Sequence, residues 1–266
     1  MKRLIHLILP ILLFLALIWF WEWAVGYWQV KKFVLPAPSA IWTALAQEAS
    51  DLMAGKPGTL FASAFATLQT TLTAFALAAV TGILLAALFA SSRLAEAMVA
   101  PYTVILQVTP VVAIAPLVLV WVGLDNAWVA VLILAWIVAF FPVLANATAG
   151  LKAADPNLRD LFRLYRASRW QTFTRLLIPS SLPYLLTGLK TAGGLALIGA
   201  VVAEFAAASG NSGGLAWRIL EAGNRLQIAK MFAALILLAL MGLALYAILS
   251  LIEWLLLRRW HGAVAR

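Results

Sequence analysis

The sequence predicts an all-α membrane protein that crosses the bilayer about six times. Of its 266 residues, 65% are hydrophobic and only 11% are charged, and the mean hydropathy is +1.00. An average soluble domain is about 45–50% apolar and about 25% charged, so this chain lacks the polar residues for a water-facing surface. Six apolar stretches also reach the roughly 20 residues that a helix needs to span a bilayer.

The first apolar stretch follows Lys2 and Arg3, as the core of a signal peptide would. It is too long for a signal peptide, and Phe20–Trp23 offers no small-residue cleavage site, so we expect a retained helix. The six predicted spans are about Leu4 to Val25, Ala62 to Ala90, Ala95 to Val122, Ala127 to Thr148, Leu182 to Ala203 and Ala229 to Leu257.

The net charge of +9 lies mostly in the connections between apolar stretches, so it fits orientation in a membrane better than nucleic-acid binding. With the N-terminus inside, twelve Lys and Arg residues fall on the cytoplasmic side and six on the outer side. Because positive charge is enriched in cytoplasmic loops, we expect both termini in the cytoplasm. His6 and His261 lie at opposite ends and cysteine is absent, so a metal cluster built on these residue types is not expected.

The outer connection over residues 26–60 carries a helix pattern of its own. Ser39 can cap a helix, and apolar residues follow at helical spacing from Ile41 to Leu52. A glycine- and proline-rich stretch over residues 55–58 ends the pattern. We expect an amphipathic helix at the outer membrane interface.

Three prolines, Pro101, Pro110 and Pro116, interrupt the third predicted span. A proline frees backbone carbonyls that must find partners in protein or in a wet cavity. The resulting kink can line a transport path or serve packing alone, and the sequence leaves both open.

The connection over residues 150–180 is the longest predicted cytoplasmic loop and holds six of the twelve inner positive charges. Asp155 as N-cap and Pro156 at the first position are typical of a helix start. An apolar stripe at i, i+3, i+4 and i+7 follows, with arginines on the other side. The stripe consists of Leu158, Leu161, Phe162 and Tyr165.

A second helix pattern begins at Ser168, because Ser168 and Gln171 form a capping box. It ends at Pro179, so two short helices are expected to meet at a corner near Ala167. An exposed aromatic among arginines is typical of a protein docking site, and the alternative is an ordinary basic loop. The residues that the corner is expected to expose are Arg166, Arg169 and Trp170.

Residues 160–179 resemble the signature loop of importer permeases of the ATP-binding-cassette class. That pattern has glutamate and two alanines, three residues, a glycine, nine residues, and isoleucine-x-leucine-proline. Asp160 stands at the glutamate position and Leu176–Pro179 matches the end. In the family, the glycine makes the corner between the two helices easier to form. In this sequence Arg166 stands at the glycine position.

Other segments resemble the nitrate, sulfonate and taurine branch, which includes permeases for pyrimidine vitamin precursors and riboflavin. These segments, found in order along nearly the whole chain, are Leu35–Trp42, Thr109–Leu117 and Ala167–Phe173. The resemblance implies one type I importer permease domain over 1–266, with a core at 60–257. It also implies that the ATPase-coupling residues are Asp160, Tyr165, Arg166, Ala167, Ser168, Arg169, Trp170 and Pro179.

The same resemblance implies the partners. They are two copies of a separate ATPase subunit that binds Mg-ATP, a substrate-binding protein outside the membrane, and a second permease copy, most simply a homodimer. The chain would lie in the bacterial inner membrane. The P-loop pattern of two glycines, lysine and serine or threonine does not occur in the sequence, so we expect neither ATP hydrolysis nor a cofactor on this chain, and no nucleic-acid partner.

A secondary transporter driven by an ion gradient is the main alternative, and such proteins need ionisable groups inside the membrane. Glu204, near the outer end of the fifth span, is the main candidate and can line the path or face solvent. Lys190, near the inner end of that span, is expected to extend its charge toward the interface. An intramembrane protease would need paired carboxylates, a serine–histidine set or a metal site, and none is visible in the spans.

The identity of the transported solute is the property that the sequence indicates least. The polar segment Ser209–Glu221 resembles the vitamin-precursor members more than the sulfonate members, which favours a vitamin precursor. For each tryptophan among the candidate path residues, apolar packing or interface anchoring is the alternative role. The candidate path residues are Pro110, Pro116, Trp121, Asp125, Trp136 and Glu204.

Overall fold

The computed structural model describes residues 2–207 and 213–258, and for residues 2–7 and 124 it describes the backbone only. Every regular element in these ranges is helical. A 3₁₀ turn, Leu124–Asn126, precedes α6, and a π-helical turn, Phe173–Leu177, joins α8 to α9. The α-helices are α1 Lys2–Tyr27, α2 Pro38–Met53, α3 Leu60–Ser91, α4 Arg93–Val108, α5 Val111–Val122, α6 Ala127–Lys152, α7 Pro156–Leu164, α8 Arg169–Thr172, α9 Ile178–Ala207, α10 Leu215–Asn224 and α11 Ile228–Leu257.

Five helical segments in the described ranges are long and apolar enough to cross a membrane. They are α1, α3, α6, the continuous segment from α8 through α9, and α11. The bent pair of α4 and α5 makes a sixth if the two helices together form one span. The predicted all-α fold with about six spans is therefore confirmed.

The third predicted span, Ala95 to Val122, is wrong as a single helix. α4 and α5 meet at an angle of 102° at a break that contains Thr109 and Pro110. Proline disfavours the helical conformation of the residue before it, and Thr109 is accordingly extended, with ψ of 123°. Pro101 and Pro116 lie inside α4 and α5, so the break is located at Pro110 alone.

The chain forms two compact units, Met1–Ala66 with Gly213–Ala239 and Thr67–Ser212 with Leu240–Arg266. The first unit has a core built from α2, the start of α3, α10 and the start of α11. Its buried residues are Ile41, Leu60, Leu215, Ile219, Ala233 and Ala234. Beside this core, Arg218 donates to Glu221 at 2.6 Å, and this ion pair lowers the pKa of the Glu221 carboxyl.

The predicted helix of the outer connection is present as α2, but Ser39 does not cap it. Ala37 is the N-cap and Pro38 the first helical residue. The carboxylate of Glu22 in α1 instead accepts hydrogen bonds from the backbone N–H of Ser39 at 2.9 Å and from its hydroxyl at 2.7 Å. A negative charge from another helix thus satisfies the free donors at the start of α2.

The second unit contains an extensive contact between α6 and α9. A Cβ atom added to Gly199 would lie 2.9 Å from the Cα of Ala135, and one added to Gly188 would lie 3.0 Å from the carbonyl oxygen of Pro142. Small residues allow membrane helices to approach this closely, and close packing is what holds them together in lipid. Buried alanines continue the contact: Ala130, Ala135 and Ala139 in α6, and Ala192, Ala196 and Ala200 in α9.

Gly199→Ala should lower the free energy of unfolding by about 1–3 kcal/mol, because the added methyl group meets backbone that cannot move aside. Gly194→Ala is the matched control on α9, since its Cβ would meet nothing within 4 Å. That change should be neutral or stabilising by up to about 1 kcal/mol through helix propensity. Thermal unfolding of the two purified variants in the same detergent measures the difference, and equal midpoints would contradict the packing described here.

Candidate functional site

The loop between α6 and α9 begins with the predicted helix start. The carboxylate of Asp155 accepts the backbone N–H of Asn157 at 2.8 Å. Arg159 then ties α7 to the end of α6, because its guanidinium donates to the carbonyl oxygens of Leu151 and Lys152, both at 3.0 Å. The last carbonyls of a helix lack helical partners, and a basic side chain satisfies them well. The loop is thus attached to a membrane-spanning helix.

The apolar stripe of α7 remains largely uncovered within the chain. Leu158 and Leu161 are each 44% exposed and Tyr165 is 80% exposed, while Phe162 is half-buried. Asp160 lies on the polar side and pairs with Arg163 at 3.0 Å. An exposed apolar helix face with a polar rim is typical of a surface that binds another protein.

The corner forms although Arg166 stands where the signature loop that it resembles has glycine. Arg166 adopts a left-handed conformation with φ of 51°. Its N–H donates to the carbonyl of Arg163, and the N–H of Ala167 donates to the carbonyl of Phe162, both at 2.9 Å. This hydrogen-bond pattern closes a helix around a left-handed residue, which is usually glycine because a side chain there costs about 1–2 kcal/mol.

The predicted capping box is present at the start of α8. The Ser168 hydroxyl accepts the N–H of Gln171 at 3.1 Å, and the Gln171 side chain accepts the N–H of Ser168 at 2.8 Å. The expected end of this helix at Pro179 is wrong, because α8 passes through the π-helical turn into α9. In that turn the N–H of Ile178 bonds to the carbonyl of Phe173, which shifts the hydrogen-bond ladder just before the proline, so Pro179 is accommodated in the first turn of α9.

Trp170 projects from the corner and is 72% exposed, with its ring stacked on Phe173 at a centroid distance of 6.2 Å. A cavity of about 910 Å³ lies beside it, bounded by the loop and by the last residues of α3. The aromatic side chain and the basic groups around it therefore border one concave surface. The loop residues that line this cavity include Arg159, Arg163, Ala167, Arg169, Trp170 and Phe173.

The candidate path residues differ in exposure and in the groups that they contact. Trp121, at the end of α5, is 75% exposed, and Asp125 is exposed in the following turn. Trp136 is half-buried in α6 and donates its indole N–H to the hydroxyl of Thr81 at 3.0 Å, which favours a packing role. Pro110 and Pro116 belong to the bent pair, and a contact between any of these side chains and a solute stays a prediction.

Glu204 is only 2% exposed, so it does not face solvent in this chain. Its carboxylate accepts the hydroxyl of Thr67 at 2.7 Å. Thr67 is itself fully buried, and its carbonyl accepts the hydroxyl of Thr71 at 2.7 Å. A buried carboxylate needs such hydrogen bonds, because an unpaired one would be strongly destabilising.

Sequence reasoning missed the ion pair between α9 and α11. Lys190 does not extend alone toward the interface, because its Nζ lies 3.0 Å from Oε2 of Glu253 in α11. The signal was present, since a lone lysine and a lone carboxylate stand near the inner ends of the fifth and sixth predicted spans. Two antiparallel neighbouring helices bring such positions to the same depth.

Comparison with known proteins decides the family. The model of the "binding-protein-dependent transport system inner membrane component" matches residues 78–261. The chain belongs to this family. It is therefore the membrane-spanning permease subunit of an ATP-driven importer, as the sequence predicted, and the ion-gradient alternative is not supported.

Similar importer permeases cover nearly the whole chain. It is 33% identical over 259 residues to the formylaminopyrimidine transport permease protein ThiX of Halalkalibacterium halodurans, covering 97% of this chain and 98% of that one. It is 33% identical over 259 residues to the riboflavin transport system permease protein RibX of Chloroflexus aurantiacus, covering 96% and 90%. It is 29% identical over 243 residues to the putative aliphatic sulfonates transport permease protein SsuC of Bacillus subtilis, covering 91% and 84%.

Arg166→Gly should stabilise the loop of this importer permease by about 1 kcal/mol, because glycine adopts the left-handed conformation without the penalty of a side chain. Arg163→Gly is the control: residue 163 has an ordinary helical conformation in α7, so glycine there should cost about 1 kcal/mol. Amide hydrogen exchange over residues 160–170 measures both effects. Faster exchange in Arg166→Gly than in the wild type would contradict the corner geometry.

Proposed function

We propose that the corner at residues 166–170 docks on a separate ATPase subunit. Trp170 would enter a groove of that subunit, and Arg166 and Arg169 would pair with acidic groups at its rim. The observation that carries this proposal is the 72% exposure of Trp170 at a corner fixed by a capping box. A central aromatic surrounded by charged groups is where binding energy concentrates in protein interfaces.

The attachment of the loop supports a role in coupling. Arg159 bonds α7 to the end of α6, and the π-helical turn makes α8 continuous with α9. A displacement of the corner would therefore move two packed helices together. ATP binding, on two ATPase copies that hold Mg-ATP, would close the ATPase pair and tilt these helices between inward-open and outward-open states.

The assembly follows from the same proposal. Two copies of this chain, acting as one permease domain each, would form the path, with both termini in the cytoplasm. A substrate-binding protein would deliver the solute at the outer face. ATP would be bound and hydrolysed on the partner subunits, with no cofactor on this chain.

The proposed cargo is a heterocyclic vitamin or vitamin precursor. Two relatives named for formylaminopyrimidine and riboflavin transport are each 33% identical over nearly the whole chain, against 29% for the sulfonate relative. An aliphatic sulfonate is the second candidate, supported by that relative. Identification of the small molecule bound by the cognate binding protein tests the choice.

Trp170→Ala should weaken association with the cognate ATPase by roughly thirtyfold or more, because truncating a central aromatic anchor typically costs about 2 kcal/mol. Trp42→Ala is a matched control, since Trp42 is also 72% exposed but lies in α2, on the predicted outer side. Titration of the purified ATPase onto the reconstituted permease measures the affinity.

The variant should still insert in the membrane, and Trp42→Ala should bind the ATPase as the wild type does. The docking proposal fails if Trp170→Ala combined with Arg169→Ala leaves both ATPase binding and substrate-stimulated ATP hydrolysis at wild-type levels.

A further inference from the structure

A charged and aromatic cluster lies in two of the membrane-spanning helices, away from the coupling loop. Lys190 in α9 and Glu253 in α11 pair at 3.0 Å, and their side chains are 25% and 23% exposed. The Nζ of Lys190 also lies 4.7 Å from the ring centre of Tyr246, so the ammonium group contacts an aromatic face. The pair is thus only partly enclosed by the chain.

This cluster borders a cavity of about 400 Å³, a size typical of small-molecule sites. The cavity is lined on the α11 side by Tyr246 and Glu253, and on the α9 side by Thr187, Lys190, Thr191, Gly194 and the aliphatic Leu195 and Ile198. Its lining therefore combines an ammonium, a carboxylate, two hydroxyls and a phenol ring with two aliphatic side chains.

The hydroxyl oxygens of Thr187 and Thr191 can accept hydrogen bonds from a molecule in the cavity. The Thr187 hydroxyl donates its proton to the carbonyl of Pro183 at 3.1 Å, and the Thr191 hydroxyl donates to the carbonyl of Thr187 at 3.0 Å. Because each hydroxyl proton is used within α9, each oxygen presents lone pairs as an acceptor. Lys190 has three N–H donors and Glu253 uses one oxygen for the ion pair, so donors and acceptors both remain.

Lipid tails cannot satisfy the charged and polar groups of this surface. A charged side chain in the hydrocarbon costs about 2.5–3.5 kcal/mol at the helix centre, and intramembrane ion pairs usually face a water-filled cavity or another helix. The exposed residues of α9 that line the cavity are Thr187, Thr191, Gly194 and Ile198. Three of the four are small or polar, and the apolar one, Ile198, lies about two turns from Lys190. Water and a polar solute satisfy such a surface, whereas lipid tails do not.

We propose that this cavity is a solute-binding site in the wall of the transport path and that it takes a small heteroaromatic solute without net charge. The Tyr246 ring, 57% exposed, offers a face for stacking, and the groups around it offer donors and acceptors to ring nitrogens and carbonyls. A free inorganic anion suits the site less, because the only ammonium group in its described lining is already paired with Glu253. The inference rests on the proposed importer function and narrows its cargo.

Thiol labelling tests the position of the site whatever the solute is. The natural sequence has no cysteine, so Thr191→Cys introduces a single reactive thiol. Ile248→Cys is the control, because Ile248 is 55% exposed but lies two residues from Tyr246, on the opposite side of α11. In vesicles that contain the permease with its ATPase, a membrane-impermeant thiosulfonate should modify residue 191 at least about tenfold faster than residue 248.

Charge reversal of the reagent tests the role of the ion pair. In Thr191→Cys, anionic and cationic thiosulfonates should react at similar rates, since Lys190 and Glu253 balance each other. Adding Glu253→Gln leaves Lys190 unpaired, and the anionic-to-cationic rate ratio should rise about tenfold, because a local charge concentrates counter-ions. Adding Lys190→Met as well should return the ratio to its starting value.

Protection tests the class of solute. Formylaminopyrimidine or riboflavin should slow modification of Thr191→Cys, and nitrate should not. The proposal is overturned if residue 191 reacts no faster than residue 248, if the charge ratio stays constant, or if neither heterocycle protects. Co-purification of the ATPase with Thr191→Cys, scored in the same preparation, separates a failure of this site from a failure of the importer function.

Discussion

Backbone polar groups find no water in the hydrocarbon core of a bilayer, and every membrane-spanning segment of this chain must therefore satisfy them internally. This constraint accounts for the helical form of every regular element in the described ranges and for the small residues at helix–helix contacts. The result is clearest where Gly199 meets the backbone of α6 at Ala135. The loop over residues 153–177 connects the two helices of this contact, so a partner docked on that loop, as proposed above, would act on two closely packed helices at once.

Local features of the fold could be predicted because they depend on residues within a few positions of one another. The capping box at Ser168 and Gln171 and the cap at Asp155 formed as their patterns indicated. Arg166 shows the limit of a pattern, since the hydrogen bonds around it impose a left-handed conformation that the side chain disfavours. The hydrogen bonds that close the corner thus outweigh the conformational preference of the arginine at residue 166.

The prolines show why element boundaries were harder to predict. Pro110 breaks a helix, whereas Pro116 and Pro179 lie inside one. Before Pro179 the hydrogen-bond ladder shifts in the π-helical turn, so the helix continues past this proline. Contacts between distant residues escaped prediction for another reason: the pairing of Lys190 with Glu253 requires knowing which helices are neighbours and at what depth. Much of the candidate site in the loop could therefore be predicted from the sequence, whereas little of the site inside the membrane could.

We expect α6 and α9 to move as one body when the loop between them is displaced. A Cβ atom on Gly150 would lie 3.0 Å from the Cβ of Ser181, somewhat shorter than the roughly 3.5–4.5 Å that a disulfide spans, so a small outward shift would allow the bond. The chain has no other cysteine to compete. The decisive measurement is ATP hydrolysis stimulated by the binding protein in the reconstituted complex carrying Gly150→Cys and Ser181→Cys, with the disulfide formed and then reduced. We expect equal stimulation in both states, because the bond joins helices that do not separate. Loss of stimulation on oxidation, restored by reduction, would contradict the claim.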